Sequence, residues 1–272
     1  MPPILVFDIE TVPDVAGVRR IHDVPEALSD VSVIAWYNQR RRAASGSDFT
    51  PHHLQKVVAI ACALRDGPSL KVWSIGELGD GEPELIRRFF DGIERFTPQL
   101  VSWNGGGFDL PVLHHRALIH GVAAPRYWDW GDDDKDFRFN SYLNRYHSRH
   151  LDLMDVLAMY QPRANAGLDA MARLCGFPGK LGMDGGAVYE AVNAGRLAEV
   201  RCYCEADVLN TYLLYQRFRL MRGEQDAGEY ANEMAFARER VAAWDAPHWK
   251  AFLAAWQHTP PVPVDGVSGQ LL

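Results

Sequence analysis

The sequence is poor in cysteine, and its cysteines lack the spacing of a structural zinc site. The chain of 272 residues has four, and the two nearest, Cys202 and Cys204, do not form a Cys-x-x-Cys pair. Free thiols in a reducing compartment are the simpler interpretation. The sequence also lacks a run near the roughly 20 apolar residues that cross a membrane, and it does not start with a basic segment followed by a long apolar one. We therefore expect a soluble cytoplasmic protein.

A surplus of basic residues is also missing. The chain has 28 Lys and Arg against 35 Asp and Glu, a net charge of −7. This disfavours a dedicated DNA-binding module, which usually has a basic face, but not an enzyme that holds nucleic acid through metal ions. Two motifs are absent as well. The glycines at 105–107 are not followed by Lys-Ser/Thr, as a phosphate-binding loop requires, and no Gly-x-Ser-x-Gly indicates a serine hydrolase.

The order of the predicted elements indicates a mixed α/β sheet. An apolar strand occupies residues 4–10, and strands at 57–64 and 70–75 are joined by the turn signal Arg-Asp-Gly-Pro-Ser. Helices and strands then alternate, which is typical of a sheet with helices on both faces. The further predicted elements are strands at 100–103 and 150–153 and helices at 82–96, 109–121, 154–160, 167–175, 187–194, 197–222 and 227–257.

Two segments interrupt this pattern. Residues 13–55 look like an insert of turn residues with a mobile tip, and residues 126–149 form a second irregular stretch rich in aromatic and charged residues. The tail from Thr259 is rich in Pro and Gly and is expected to fray.

Four carboxylates and a tyrosine stand in settings that suit phosphodiester cleavage. Two divalent cations roughly 3.5–4 Å apart activate a water and neutralise the phosphate, and several carboxylate oxygens must converge to hold them. Asp8 and Glu10 are two apart on a strand and so share a face. Asp109 follows a tri-glycine turn, and Tyr203 and Asp207 are four apart on one helix face.

Each of these observations has an ordinary alternative. Asp8 and Glu10 alone could cap a loop at a strand end. Asp109 alone is more often a helix N-cap. Tyr203 and Asp207 alone are more often a partly exposed pair. The case for a site depends on their order and context together.

Three segments resemble the motifs of a known superfamily. Residues 7–11 (Phe-Asp-Ile-Glu-Thr) resemble the first motif of the DEDD 3′→5′ exonucleases. Residues 104–109 (Asn-Gly-Gly-Gly-Phe-Asp) resemble the second, and residues 203–207 (Tyr-Cys-Glu-Ala-Asp) resemble the third in its tyrosine form, the DEDDy branch. The likeness is greatest to the proofreading domain of family-B DNA polymerases, as a stand-alone protein. It implies a ribonuclease H-like fold with a five-stranded mixed sheet.

The resemblance also implies a role for each matching residue. Asp8 would bridge two Mg²⁺ or Mn²⁺ ions, Glu10 and Asp207 would complete the first metal site, and Asp109 would hold the second metal. Tyr203 would orient the attacking water. The residues that would contact the terminal nucleotide are Thr11, Asn104 and Phe108.

The resulting prediction is a metal-dependent 3′→5′ exonuclease that releases nucleoside monophosphates from single-stranded nucleic acid, with DNA preferred. Two alternatives remain, an exoribonuclease or oligonucleotide scavenger with the same site, and a catalytically idle nucleic-acid-binding protein. We assign residues 1–222 to the exonuclease domain and residues 223–272 to a C-terminal helical extension and tail.

Several other polar residues have a structural explanation as good as a functional one. Asp152 and Asp155 stand at a strand-to-helix junction, where N-capping is the more usual role. Lys180, in a glycine-rich connector, could equally contact nucleic acid or only link two helices. Trp128 and Trp130 are expected to pin the second irregular stretch against the core rather than to stack on bases.

Overall fold

A five-stranded mixed sheet forms the centre of the protein in the computed structural model, which describes residues 2–256. The predicted tail from Thr259 lies outside the described residues. The strands lie in the order β3-β2-β1-β4-β5, with β1 antiparallel to β2 and parallel to β4. Their bounds are β1 Ile4–Pro13, β2 Gln55–Asp66, β3 Ser69–Ser74, β4 Gln99–Ser102 and β5 His150–Asp152. The predicted fold class, ribonuclease H-like with helices on both faces, is confirmed.

The sheet is covered by helices on both faces, which explains why its central strand is apolar on both sides. The helices are α1 Val15–His22, α2 Asp30–Ser45, α3 Glu82–Phe96, α4 Asp109–His120, α5 Leu153–Leu157, α6 Leu168–Leu174, α7 Val188–Asn193, α8 Leu197–Met221, α9 Ala227–Ala242 and α10 Pro247–Ala255. No helix within residues 2–256 combines the length and apolar character that a membrane span requires.

The alternation of β1 divides its side chains between two cores. Leu5, Phe7 and Ile9 pack with α3 and α4 on one face of the sheet. Ile4 and Val6 pack with α8 on the other. By the same period of two, Asp8 and Glu10 point toward the face that α8 covers. This alternation delivers both acids to one side.

The segment 13–55 is more ordered than its turn residues predicted, because two helices form in it. Asp14 caps α1 by accepting from the Gly17 amide, and Ser29 caps α2 by accepting from Ser32. The two helices bury a small separate cluster that includes Val18 and Tyr37. The prediction of a turn-rich segment was therefore wrong for most of its length. The second stretch, 126–149, is irregular as predicted, with a single short 3-10 turn at Lys135–Arg138.

The helices after residue 222 pack into the main core. Val241 of α9 and Trp249 and Phe252 of α10 belong to the cluster that contains Val6 and Leu209. The predicted continuous helix at 227–257 is divided between Ala242 and Pro247. A domain boundary at residue 222 stays a prediction.

Candidate active site

Two acids on β1 form the base of the candidate site. Glu10 is buried and Asp8 is partly buried. Ligand atoms of Asp8, Glu10 and Cys204 all lie within 4.8 Å of one another. Cys204, on α8, donates to the Asp8 backbone oxygen at 3.4 Å and contacts its Oδ2 at 3.5 Å. The central strand and α8 therefore meet at this point.

Asp109 is attached to the same strand by its side chain. Its Oδ1 accepts the Ile9 backbone N–H at 3.0 Å. Asp109 is the first residue of α4, whose N-cap is Phe108. The N-cap alternative for Asp109 is therefore wrong. The side chain instead joins the start of α4 to the middle of β1, between the two acids.

The glycine turn before Asp109 is shaped by a close approach to its neighbours. Asn104 has φ of 68°, in the left-handed region. A Cβ on Gly105 would collide with the Ser102 side chain. Asp152, the N-cap of α5, accepts from the amides of Asn104 and Gly106 at 2.9 and 2.8 Å. Asp152 is thus a structural acid that fixes this turn.

The third acid comes from α8. Tyr203 and Asp207 are both buried, so the alternative of a partly exposed helix pair is wrong. Lys180 reaches them from the connector after α6. Its Nζ lies 3.0 Å from Asp207 Oδ2 and donates a short hydrogen bond to the Tyr203 hydroxyl. The predicted contact of Lys180 with nucleic acid is not needed to explain its position, because it pairs with the site's own side chains.

The crowding of these acids shows in their proton affinities. Burial, followed by the negative charge of Asp207, raises the pKa of Glu10 to about 8. Burial raises the pKa of Asp109 to about 7, despite the opposing hydrogen bond from Ile9. Burial and then Asp109 and Glu10 raise the pKa of Asp8 well above its ordinary value. These groups need additional positive charge to be ionised together.

Lys180 supplies part of that positive charge. Burial alone would lower the pKa of Lys180, but Asp207, Asp8 and Glu10 raise it. Burial still dominates at Asp207, whose pKa is raised although Lys180 opposes the shift. Burial and Asp207 also raise the pKa of Tyr203, so its phenol stays protonated. One ammonium does not balance the cluster.

The donor set fits a hard divalent cation. Asp207 Oδ1 is buried and has no hydrogen-bond partner, which is costly unless another group occupies its lone pairs. Carboxylate oxygens are the ligands that Mg²⁺ and Mn²⁺ prefer. Burial raises the pKa of the Cys204 thiol, so Cys204 is a poor ligand beside them. The acids in this arrangement can hold a cation and a phosphate oxygen against it.

The predicted substrate-contact residues lie around these acids. Asn104 and Phe108 flank Asp109 through the glycine turn. The Thr11 hydroxyl donates to Gln55 Oε1 at 2.8 Å, just past a bulge at Glu10/Thr11. The structure thus collects the predicted residues at one end of β1, while their individual roles stay predictions.

Residues 47–256 match the family described as predicted 3′-5′ exonucleases related to the exonuclease domain of PolB. The chain belongs to this family. The match covers the second and third motifs of the PolB-like exonuclease site. Asp8 and Glu10 precede the matched residues, and β1 brings them in by pairing with β2 and β4.

A relative of this PolB-like exonuclease is the catalytic subunit of DNA polymerase epsilon from Saccharomyces cerevisiae. The two are 28% identical over 142 residues, which is 50% of this chain and 6% of the yeast protein. The chain therefore corresponds to a small part of that polymerase.

Sequence reasoning did not assign two residues that contact the cluster. Cys204 stands inside the third motif, yet a cysteine beside acids has no sequence signal as a structural donor. The sequence suggests Lys180 only as a nucleic-acid contact or a linker residue. Its glycine-rich surroundings indicate a loop, but only the fold places that loop over Tyr203 and Asp207.

Proposed function

We propose that this protein is a metal-dependent 3′→5′ exonuclease that hydrolyses the terminal phosphodiester bond of single-stranded DNA and releases nucleoside monophosphates. The observation that carries the proposal is the meeting of acids from three elements. Asp8 and Glu10 come from β1, Asp109 from α4 and Asp207 from α8, and one oxygen of Asp207 is left without a partner. Membership in the PolB-like family supports the same chemistry.

The acids would hold two Mg²⁺ or Mn²⁺ ions. Asp8 would contact both, Glu10 and Asp207 would complete one site, and Asp109 would serve the other. When bound, the cations would activate water and neutralise charge on the scissile phosphate. The hydrogen bond from the Ile9 amide fixes the Asp109 carboxylate and leaves its second oxygen free for this task.

Tyr203 and Lys180 act on the water side of the cluster. A phenol whose pKa is raised by burial is a donor and not a base. Tyr203 therefore holds the attacking water by a hydrogen bond. Lys180 fixes the phenol and Asp207 in place through its contacts with both. Thr11, Asn104 and Phe108 line the cleft for the terminal nucleotide.

The test follows single-stranded DNA labelled at its 5′ end, incubated with Mg²⁺ or Mn²⁺. The expected product is a ladder that shortens stepwise from the 3′ end, while a circular single strand survives. Asp8→Asn should abolish both the ladder and its metal dependence. Rapid cutting of the circle would indicate an endonuclease instead and would contradict the proposal.

A parallel RNA oligonucleotide of the same sequence decides the substrate class. Faster digestion of the RNA would identify an exoribonuclease with the same site. Binding of either strand without turnover, in the presence of each metal, would identify a catalytically idle protein.

A further inference from the structure

Three aromatic rings stand together beside the candidate site. The Phe108 ring centroid lies 6.0 Å from that of Phe49 and 5.6 Å from that of His52. Phe49 and His52 are themselves 6.1 Å apart, and all three contacts are edge-on. We call these three residues the aromatic platform. It joins the segment before β2 to the glycine turn of the active site.

The platform is close to the acids and open to solvent. Phe108 precedes Asp109 directly, so one end of the platform adjoins the proposed metal site. Phe49 is 52% exposed. A ring that served only to pack the 13–55 segment against α4 would bury its faces, as Tyr37 does in the separate cluster of that segment. An exposed phenylalanine in contact with a cleft residue is a suitable surface for a flat ligand.

The surroundings of the platform are basic although the protein is acidic overall. The run Arg40-Arg41-Arg42 ends α2 just before Phe49. Arg41 donates to the Phe49 backbone oxygen at 3.3 Å, and its Nε is buried without a hydrogen-bond partner. Burial, together with His115, His52 and Arg41, lowers the pKa of His53. Several cationic groups therefore crowd this side.

The acids of this segment do not cancel that charge at the platform. Asp48 pairs with Arg42, and Asp14 pairs with Arg116 in the interior. Arg41 itself has no carboxylate partner among the ion pairs found within residues 2–256. An anion on the path from α2 to Phe49 would meet uncompensated positive charge.

We propose that the aromatic platform, led by Phe49, stacks on a nucleobase of the strand upstream of the scissile phosphate, and that Arg41 contacts the phosphate beside that base. The inference rests on the proposed exonuclease function and adds a strand-binding surface to it. Stacking accepts any base, because each base has a π-face. The surface would therefore favour unpaired strands without selecting their sequence.

The experiment compares variants at Phe49 on a 5′-labelled single strand under single-turnover conditions. Phe49→Ala should raise the half-saturating enzyme concentration by about 5- to 150-fold, the value of one base stacked on an aromatic side chain. Phe49→Trp should keep the parent value, and Phe49→Leu should behave like Phe49→Ala, because leucine fills space without a π-face. The matched control is Phe96→Ala, at a ring that is also 52% exposed but lies at the end of α3. It should leave the half-saturating concentration unchanged.

Substrates with one abasic site at the second, third or fourth nucleotide from the 3′ end give the decisive comparison. At one of these positions the parent enzyme should lose as much as Phe49→Ala loses on the intact strand, and the variant should lose nothing more. An equal loss for Phe49→Ala on all substrates, or a Phe49→Leu variant that matches the parent, would overturn the stacking proposal. If the parent enzyme digests no strand at all, the proposed function itself fails, which is a different result from an active parent with an unaffected Phe49→Ala.

Discussion

Lys180 offers the most direct test of how the acids are held together without metal. The change is Lys180→Met, which removes the ammonium and keeps most of the side-chain length. The Lys180 Nζ and Asp207 Oδ2 atoms are 3.0 Å apart, and Asp207 is buried while the Lys180 side chain is 31% exposed. Removal of one partner of such a pair leaves the other charge buried alone.

The size of the effect follows from that distance. Two unit charges 3.0 Å apart attract by about 5 kcal/mol at an effective dielectric near 20. Desolvation of both groups and the partial exposure of Lys180 reduce this value. We expect the metal-free variant to lose about 2–3 kcal/mol in free energy of unfolding, or about 4–12 °C in Tm.

The assay is urea unfolding in the presence of a chelator, followed by a double-mutant cycle with Asp207→Asn. The matched control is Lys250→Met, because Lys250 pairs with Asp245 at 3.2 Å with side chains 71% and 98% exposed. That control should leave the unfolding curve unchanged. If Lys180→Met unfolds like the parent and the cycle gives no coupling, the ion pair does not stabilise the site and the electrostatic argument is refuted.

Three further predictions concern single groups. Tyr203→Phe should stay folded and slow the single-turnover rate by about 5- to 150-fold, the loss of one hydrogen bond to the water; an unchanged rate would leave Tyr203 only a packing role. Asp109→Asn should be inactive yet nearly as stable as the parent, since an amide oxygen can still accept from Ile9, whereas Asp109→Ala should cost about 1–3 kcal/mol on unfolding; equal stability of the two variants would contradict the Ile9 contact. Burial, and then His114, lowers the pKa of His150 to about 4. The unfolded chain therefore binds the extra proton first, and stability should fall by on the order of 3 kcal/mol as the pH drops from about 6.5 to 4. His150→Gln should flatten that part of a pH series of unfolding curves, and an unchanged slope would show that another group is responsible.

The regular part of the fold could be predicted from the sequence because its signals are local. The apolar residues of α3 recur every three or four positions, and the structure gives the helix the predicted bounds, Glu82–Phe96. The β2–β3 hairpin follows from two apolar runs around Asp66 and Gly67. Such patterns depend on which face is buried and on turn chemistry, both of which are written along the chain.

The 13–55 segment could not be predicted in the same way. α2 buries only Val33, Ile34 and Tyr37 of its 16 residues, so it has no long apolar stripe. Its stability comes from caps and from contacts with α1, which no periodicity reveals. The aromatic platform escapes detection for a related reason, because Phe49 and Phe108 are 59 residues apart in the printed sequence and meet only through tertiary packing.

The candidate site was predicted in its composition but not in its electrostatic balance. Asp8, Glu10, Asp109 and Asp207 stand in motifs that are visible in the sequence. The contact of Lys180 with Asp207 depends on a connector between helices, whose path is set by the whole fold. Long-range pairs of this kind have no signature in a single sequence.

The position of β1 has a consequence for any shorter form of this protein. The family match begins at residue 47, yet β1 is the strand to which both β2 and β4 are hydrogen-bonded. A fragment cut at the start of the match would expose two long strand edges in the middle of the sheet, and unpaired edges invite association with other chains. We expect such a fragment to aggregate rather than to yield a smaller, inactive enzyme. The least dispensable part of the protein is thus its opening strand, whose loss would turn one closed sheet into two adhesive halves.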